Sequence, residues 1–238
     1  MRPRALIPCG IAALVLVGAG AVAAPGAETA EAPPTQRYRV AAIGDSLTDV
    51  RVGGGHYLTE LARKCPKSRF DAYGVGGQQT LHMRWRFDVD LNQWSKLPAR
   101  RVDYTHVIVL GGVNDLSAGS VTHPRLGRVK ANLAAMYVRG KRRGLRVVAV
   151  TLPPWGRLMG GYDKRATATH SLNDWILDRA RIGVVDHAVD IHPILSCGDT
   201  DELCPRYRRF ATDRVHWNHE GHRLVADALH TQVFADCE

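Results

Sequence analysis

Apolar residues fall along this chain in two alternating patterns. Short, largely apolar stretches occur at Arg39–Ile43, at Thr105–Gly112 ("THVIVLGG"), at Leu145–Pro154 ("LRVVAVTLPP") and at Ile182–Asp186 ("IGVVD"), and Arg69–Gly77 ("RFDAYGVGG") reads as a further strand ending in glycines. Runs of this length, rich in Val and Ile and stopped by glycine or proline, predict strands buried on both faces. Between them, apolar positions return every three or four residues. Leu58, Leu61 and Ala62 follow the glycine-rich "VGGGH". Val129, Leu133, Met136 and Tyr137 lie within Leu126–Arg143, and Leu172, Ile176 and Leu177 within Ala166–Ala180. Leu224, Val225, Ala228 and Leu229 lie within Glu220–Phe234. That spacing puts one apolar stripe on each predicted helix. Strands alternating with helices predict an α/β fold, a three-layer α/β/α sandwich around a parallel sheet of about five strands. Ligands of such sheets bind at the carboxyl ends of the strands. No internal repeat interrupts the pattern.

The first residues break the alternation. Arg2 and Arg4 precede an apolar stretch, Ala5–Ala24, that ends in the small residues "AVAA". This order predicts a secretory signal peptide over residues 1–24. A retained membrane anchor is the rival reading, weakened by Pro8 and several glycines. Residues 25–36, "PGAETAEAPPTQ", read as a flexible leader. Residues 37–238 then form one domain. An exported protein without a stable membrane anchor is the expectation.

The formal charge is +9, and the predicted cleavage removes no acid. Basic surface can meet nucleic acid or an anionic polymer, or serve solubility. The densest cluster, "GKRRGLR" at Gly140–Arg146, sits where a helix should end, and cations suit that end of the dipole. No nucleic-acid partner is expected. Beyond residue 24 the cysteines are Cys65, Cys197, Cys204 and Cys237. An even count in an exported chain predicts disulfides, with three possible pairings. Cys197–Cys204, closing the polar loop "CGDTDELC", is the first choice, and Cys65–Cys237 then follows by elimination. No C-x-x-C spacing favours zinc.

The strand ends carry the chemistry. The first leads into "IGDSLTD" with Asp45 and Ser46, the second into Gly74, Gly76 and Gly77, and the third into "GGVND" with Asn114 and Asp115. Near the end of the chain stands "DRVHWN", with Asp213 three residues before His216. A serine hydroxyl needs a base to take its proton. His216 can act near neutral pH, and Asp213 can fix its tautomer and stabilise its cation. The oxyanion of a tetrahedral intermediate needs donors already in place. The backbone N–H of Ser46, that of Gly77 and the Asn114 amide supply them.

With "GDSL" at Gly44–Leu47, "GVGG" at Gly74–Gly77, "GGVND" at Gly111–Asp115 and "DRVH" at Asp213–His216 in this order, the chain resembles the SGNH, or GDSL, hydrolases. The resemblance implies a flavodoxin-like fold, acyl-ester hydrolysis and no cofactor. Matched motif by motif, it makes Ser46 the nucleophile, Gly77 and Asn114 oxyanion donors, and Asp213 and His216 the rest of a triad. Two departures stand out. Ala72 or Tyr73 occupies the place of an asparagine the family often has before its oxyanion glycine. Trp217 replaces a proline the family often has after the histidine.

Other residues have plainer readings. Asp45 closes a turn, Asp115 caps or accepts in a loop, and Asn114 can cap a helix as well as donate. "HWNHEGH" spaces His216, His219 and His222 by threes, unlike the H-E-x-x-H zinc pattern. His219 and His222 are expected to face solvent or cap a helix starting near Asn218. No metal is expected, and His56, His170 and His192 read as ordinary histidines. Trp155 and Trp217 are either core or walls of a substrate pocket. Arg84 and Arg86 could meet an anionic substrate, but exposed arginines usually meet water. The function expected is a secreted, monomeric serine ester hydrolase acting on a small-molecule or glycan acyl ester, with short acyl or O-acetyl groups favoured. An acyltransferase or a non-catalytic glycan-binding module on the same fold is the alternative.

Overall fold

The computed structural model describes residues 35–92, 102–118, 121–155, 162–198 and 201–238. The predicted signal peptide and most of the predicted leader lie outside them. Gln36 is already paired, its N–H donating to Asp236 O (2.8 Å) and its carbonyl accepting from the Glu238 N–H (2.9 Å).

Five parallel strands form one sheet in the order β2-β1-β3-β4-β5. They are β1 (Arg39–Gly44), β2 (Arg69–Gly74), β3 (His106–Leu110), β4 (Arg146–Val150) and β5 (His187–Val189). Every residue of β3 is buried, as its unbroken apolar run requires of a central strand. The register pairs Gly44 with both Gly74 and Leu110, so the ends of β1, β2 and β3 open on one rim. The helices are α1 (His56–Lys64), α2 (Thr80–Asn92), α3 (Val113–Ser117), α4 (His123–Arg142), α5 (Tyr162–Arg181), α6 (His192–Leu195) and α7 (His219–Val233). Helix α1 packs with α7, while α2, α4 and α5 form a second group. The strand order reverses at β1, whose neighbours β2 and β3 follow it in sequence. Such a reversal opens a crevice at the carboxyl ends of the strands concerned.

Strand β5 and helices α2, α3 and α6 differ from the sequence reading. Strand β5 begins at His187, after the predicted Ile182–Asp186. The earlier apolar residues close the turn after α5: Ile182 N–H donates to Asp178 O, Gly183 N–H to Ala180 O and Val184 N–H to Arg179 O. Gly183 has φ +75° there. Helix α2 was not anticipated at all. Its buried residues Thr80, Met83, Phe87 and Leu91 form a narrow stripe, and Trp85 on the outer face is 63% exposed.

Both disulfides match the expected pairing. Cys65–Cys237 ties the end of α1 to the last turn of the chain, and Cys197–Cys204 closes a short loop after α6.

Candidate active site

Ser46 stands in the turn that leaves β1. Asp45 builds this turn: its backbone carbonyl accepts from the Thr48 N–H (3.1 Å) and the Asp49 N–H (3.0 Å), and its Oδ1 from the Leu47 N–H (3.0 Å). Burial pushes the Asp45 carboxyl up to about 7, against the opposing pull of the Leu47 hydrogen bond. The glycines of "VGGGH" let the next segment fold back tightly. A Cβ on Gly54 would overlap the Ser46 carbonyl oxygen.

Asp49 joins this turn to the glycine loop after β2. Its Oδ2 accepts from the Gly76 N–H (2.9 Å), and both carboxylate oxygens accept from the Arg51 guanidinium (2.8 Å each). Hydrogen bonds from Arg51 lead in holding this carboxyl down at about 2. Gly76 thus gives its N–H to Asp49 and not to the rim. Gly77 has φ +75°, a conformation that suits glycine, and a Cβ there would meet nothing within 4 Å. The backbone N–H groups of Ser46 and Gly77 have no hydrogen-bond partner among the described residues.

Asn114 comes from α3, just beyond β3. Its Nδ2 donates to Gln78 O (3.0 Å) and Asp45 Oδ2 (3.3 Å), which seats it between the serine turn and the glycine loop. Asp115 faces the other way. It accepts from the Thr80 N–H (2.9 Å) and hydroxyl (2.8 Å) at the start of α2, the acceptor role expected of it.

The segment before α7 brings the histidine. Ser46 Oγ lies 2.9 Å from His216 Nε2, and His216 Nδ1 lies 3.1 Å from Asp213 Oδ2. Burial raises the Asp213 carboxyl, but the N–H groups of His216 (2.9 Å) and Val215 (3.1 Å) and the His216 ring outweigh it, leaving the acid below its usual range. The remaining histidines of "HWNHEGH" have separate partners. His222 is buried, accepting from Trp217 Nε1–H (2.6 Å) at Nδ1 and reaching Gly53 O (3.2 Å) with Nε2. It does not face solvent as expected. His219 is exposed, 3.6 Å from Glu60, and Asn218 caps α7 by accepting from the Gly221 N–H (3.1 Å).

For the two tryptophans, burial favours the core over the pocket-wall alternative. Trp155 and Trp217 are 3% and 1% exposed, and both indole N–H groups are satisfied internally, by Thr169 (2.9 Å) and His222. They pack in the core instead of presenting a ring to ligand.

Arg86 is a further correction. From α2 it reaches beneath the sheet rim, donating to Gly44 O (2.6 Å), Tyr73 O (2.7 Å) and Gln78 Oε1 (2.6 Å) and pairing with Asp90. One guanidinium thus holds the ends of β1 and β2. Arg84 donates to Asn132 Oδ1 (3.1 Å). Arg209 was also missed. Its N–H donates to His216 O (3.0 Å), its Nη1 to Val52 O (2.6 Å), and its Nε lies 3.4 Å from Asp213. A single arginine in an Arg-rich segment carries no sequence signal of such a role.

A serine, an imidazole and a carboxylate in hydrogen-bonded series can move a proton off the hydroxyl. The sequence profile of the GDSL-like lipase/acylhydrolase family matches residues 42–224. The chain belongs to this family. Solved structures of GDSL-like acylhydrolases share its fold. A GDSL-like lipase from Bacteroides thetaiotaomicron is 19% identical, with 82% of this chain and 86% of that one covered and a TM-score of 0.63. A lipase/acylhydrolase from Enterococcus faecalis is 15% identical over 82% and 93% of the two chains, with a TM-score of 0.62. A catalytic mutant of an acetylxylan esterase from Geobacillus stearothermophilus is 18% identical over 82% and 93%, with a TM-score of 0.61. No curated protein matches the chain significantly.

Proposed function

We propose that this GDSL acylhydrolase is an exported serine esterase with Ser46 as nucleophile. The observation that carries the reading is the continuous series Ser46 Oγ, His216, Asp213, with both links within hydrogen-bond reach. Ser46 Oγ attacks the ester carbonyl carbon as His216 Nε2 takes its proton. Asp213, held as an anion, stabilises the imidazolium. Negative charge gathers on the carbonyl oxygen, and the N–H groups of Ser46 and Gly77 receive it. Asn114 joins them by turning one amide hydrogen from Gln78 O or Asp45. Protonated His216 then gives its proton to the leaving alcohol. Water, deprotonated by the same imidazole, attacks the acyl-enzyme and releases the acid.

Among the described residues, Gly76 and Gly77 are exposed at the rim and no tryptophan lines it. An open rim suits an ester with a bulky alcohol part, such as an O-acetylated glycan. The two disulfides support an oxidising compartment. Among the described residues no helix is long and apolar enough to cross a membrane.

The test is hydrolysis of p-nitrophenyl esters from acetate to palmitate, with O-acetylated glycans alongside, and labelling by a fluorophosphonate. Turnover and labelling should both vanish in Ser46→Ala, and short chains should be favoured. Equal activity in wild type and Ser46→Ala would overturn the assignment.

A further inference from the structure

A second cluster of functional groups lies beyond β5. His170 projects from α5, His192 opens α6, and Asp201 lies in the loop closed by Cys197–Cys204. One ligating atom from each lies within 4.8 Å of the others. His170 Nε2 is 2.5 Å and His192 Nε2 is 3.8 Å from Asp201 Oδ1. The two rings sit 5.1 Å apart. We propose that His170, His192 and Asp201 bind a divalent ion of the zinc class, at a site separate from the ester-cleaving centre.

Three observations support it. First, the donor set is two imidazoles and one carboxylate, which suits zinc better than the all-oxygen preference of calcium or magnesium. Second, His192 has a partner on its far nitrogen. Nδ1 lies 3.3 Å from Leu152 O and 3.3 Å from Asn173 Nδ2. With Nδ1–H donating to Leu152 O, the lone pair of Nε2 faces Asp201. A ligating histidine is commonly oriented this way. Third, the cluster has a buried side and an open side. The side chain of His192 is 13% exposed and that of His170 is 52% exposed. Water can therefore complete the coordination, and the ion has an entry path.

The rival is a bare ion pair between His170 and Asp201. That pair engages only His170, although the Nε2 of His192 lies 3.8 Å from the same carboxylate oxygen. A doubly charged cation engages all three. Asp201 is held for this purpose on a short closed segment: Ser196 bridges Leu203 in antiparallel fashion beside the disulfide. An ion here would clasp α5 to the segment following α6. β3 and β4 separate β1 from β5 in the sheet. Metal binding should therefore affect stability and leave the chemical step at Ser46 unchanged.

The experiment uses full-chain, oxidised protein stripped with a chelator and titrated with Zn²⁺ by calorimetry, with thermal unfolding in parallel. Wild type should take up one equivalent and unfold at a higher temperature as zinc is added. His170→Ala and Asp201→Asn should each weaken binding at least ~100-fold, since loss of even an outer partner typically costs 10–100-fold. His219→Ala is the control and should bind as wild type does. Circular dichroism and the catalytic rate without zinc check that each variant is folded. If a variant fails this check, His170→Gln takes its place. Cobalt substitution should give visible ligand-field bands that vanish in Asp201→Asn. No stoichiometric uptake by wild type would overturn the site, as would uptake unchanged in the folded variants.

Discussion

In the proposed mechanism Asp213 and Asn114 serve the same reaction by different means, so their variants should fail differently. In Asp213→Asn the imidazole loses the anion that fixes its tautomer, and kcat should fall by ~10³–10⁴ in steady-state ester assays. Asn114→Ala removes one donor while Ser46 and Gly77 remain, so kcat should fall only ~10²–10³, with KM little changed. Ser46, Gly77, Asn114, Asp213 and His216, the residues of the proposed mechanism, could be proposed from the sequence because each stands in a short motif. The facing of Trp155, Trp217 and His222 could not. An indole beside a catalytic histidine reads alike whether it lines a pocket or fills a core, and only burial separates the two. His170, His192 and Asp201 were equally hidden, because no motif links positions that meet only through folding.

Helix α2 shows why some elements are legible and others are not. Its buried stripe is about one residue wide, and Trp85 and Val89 on the exposed face blur the helical period. Strand β3, apolar from Val107 to Leu110, could not be missed, whereas the three residues of β5 were overshadowed by the apolar turn before them. Without α2 in view, Arg86 could be read only as a substrate contact or a solvated side chain. Its guanidinium holds Gly44 O and Tyr73 O, the carbonyls at the ends of the strands that deliver Ser46 and Gly77. Arg86→Met should leave both carbonyls without this donor and lower stability by ~2–4 kcal/mol, measured by denaturant unfolding. Its kcat should fall too, because the serine turn and glycine loop lose their common support.

For the whole molecule, two linkages set the range of stability. Burial holds His106 down at about 4 and His222 down at about 3, against 6.5 for a free imidazole. Their stabilisation is complete above pH 6.5 and is lost as pH falls through those values. Asp45 has the opposite sign. Its folded value of about 7 exceeds the unfolded 3.8, so its contribution is complete below 3.8 and is lost as pH rises through 7. Between about pH 4 and 6.5 the two histidines outweigh Asp45, so thermal midpoints should rise to a maximum near pH 6.5 and then level off just above pH 7, where all three groups have finished titrating. The Cys65–Cys237 disulfide joins residues 172 apart. Replacing both cysteines by serine should cost ~3–5 kcal/mol, read from denaturant midpoints of the oxidised proteins.

The same disulfide stands beside the pairing of Gln36 with Asp236 and Glu238, at the edge of the sheet where β1 begins. Ser46 leaves the opposite edge, after the six residues of β1, a span of about 20 Å. A support attached through Gln36 or Glu238 would therefore hold the molecule upright. The serine rim would then face away from the support.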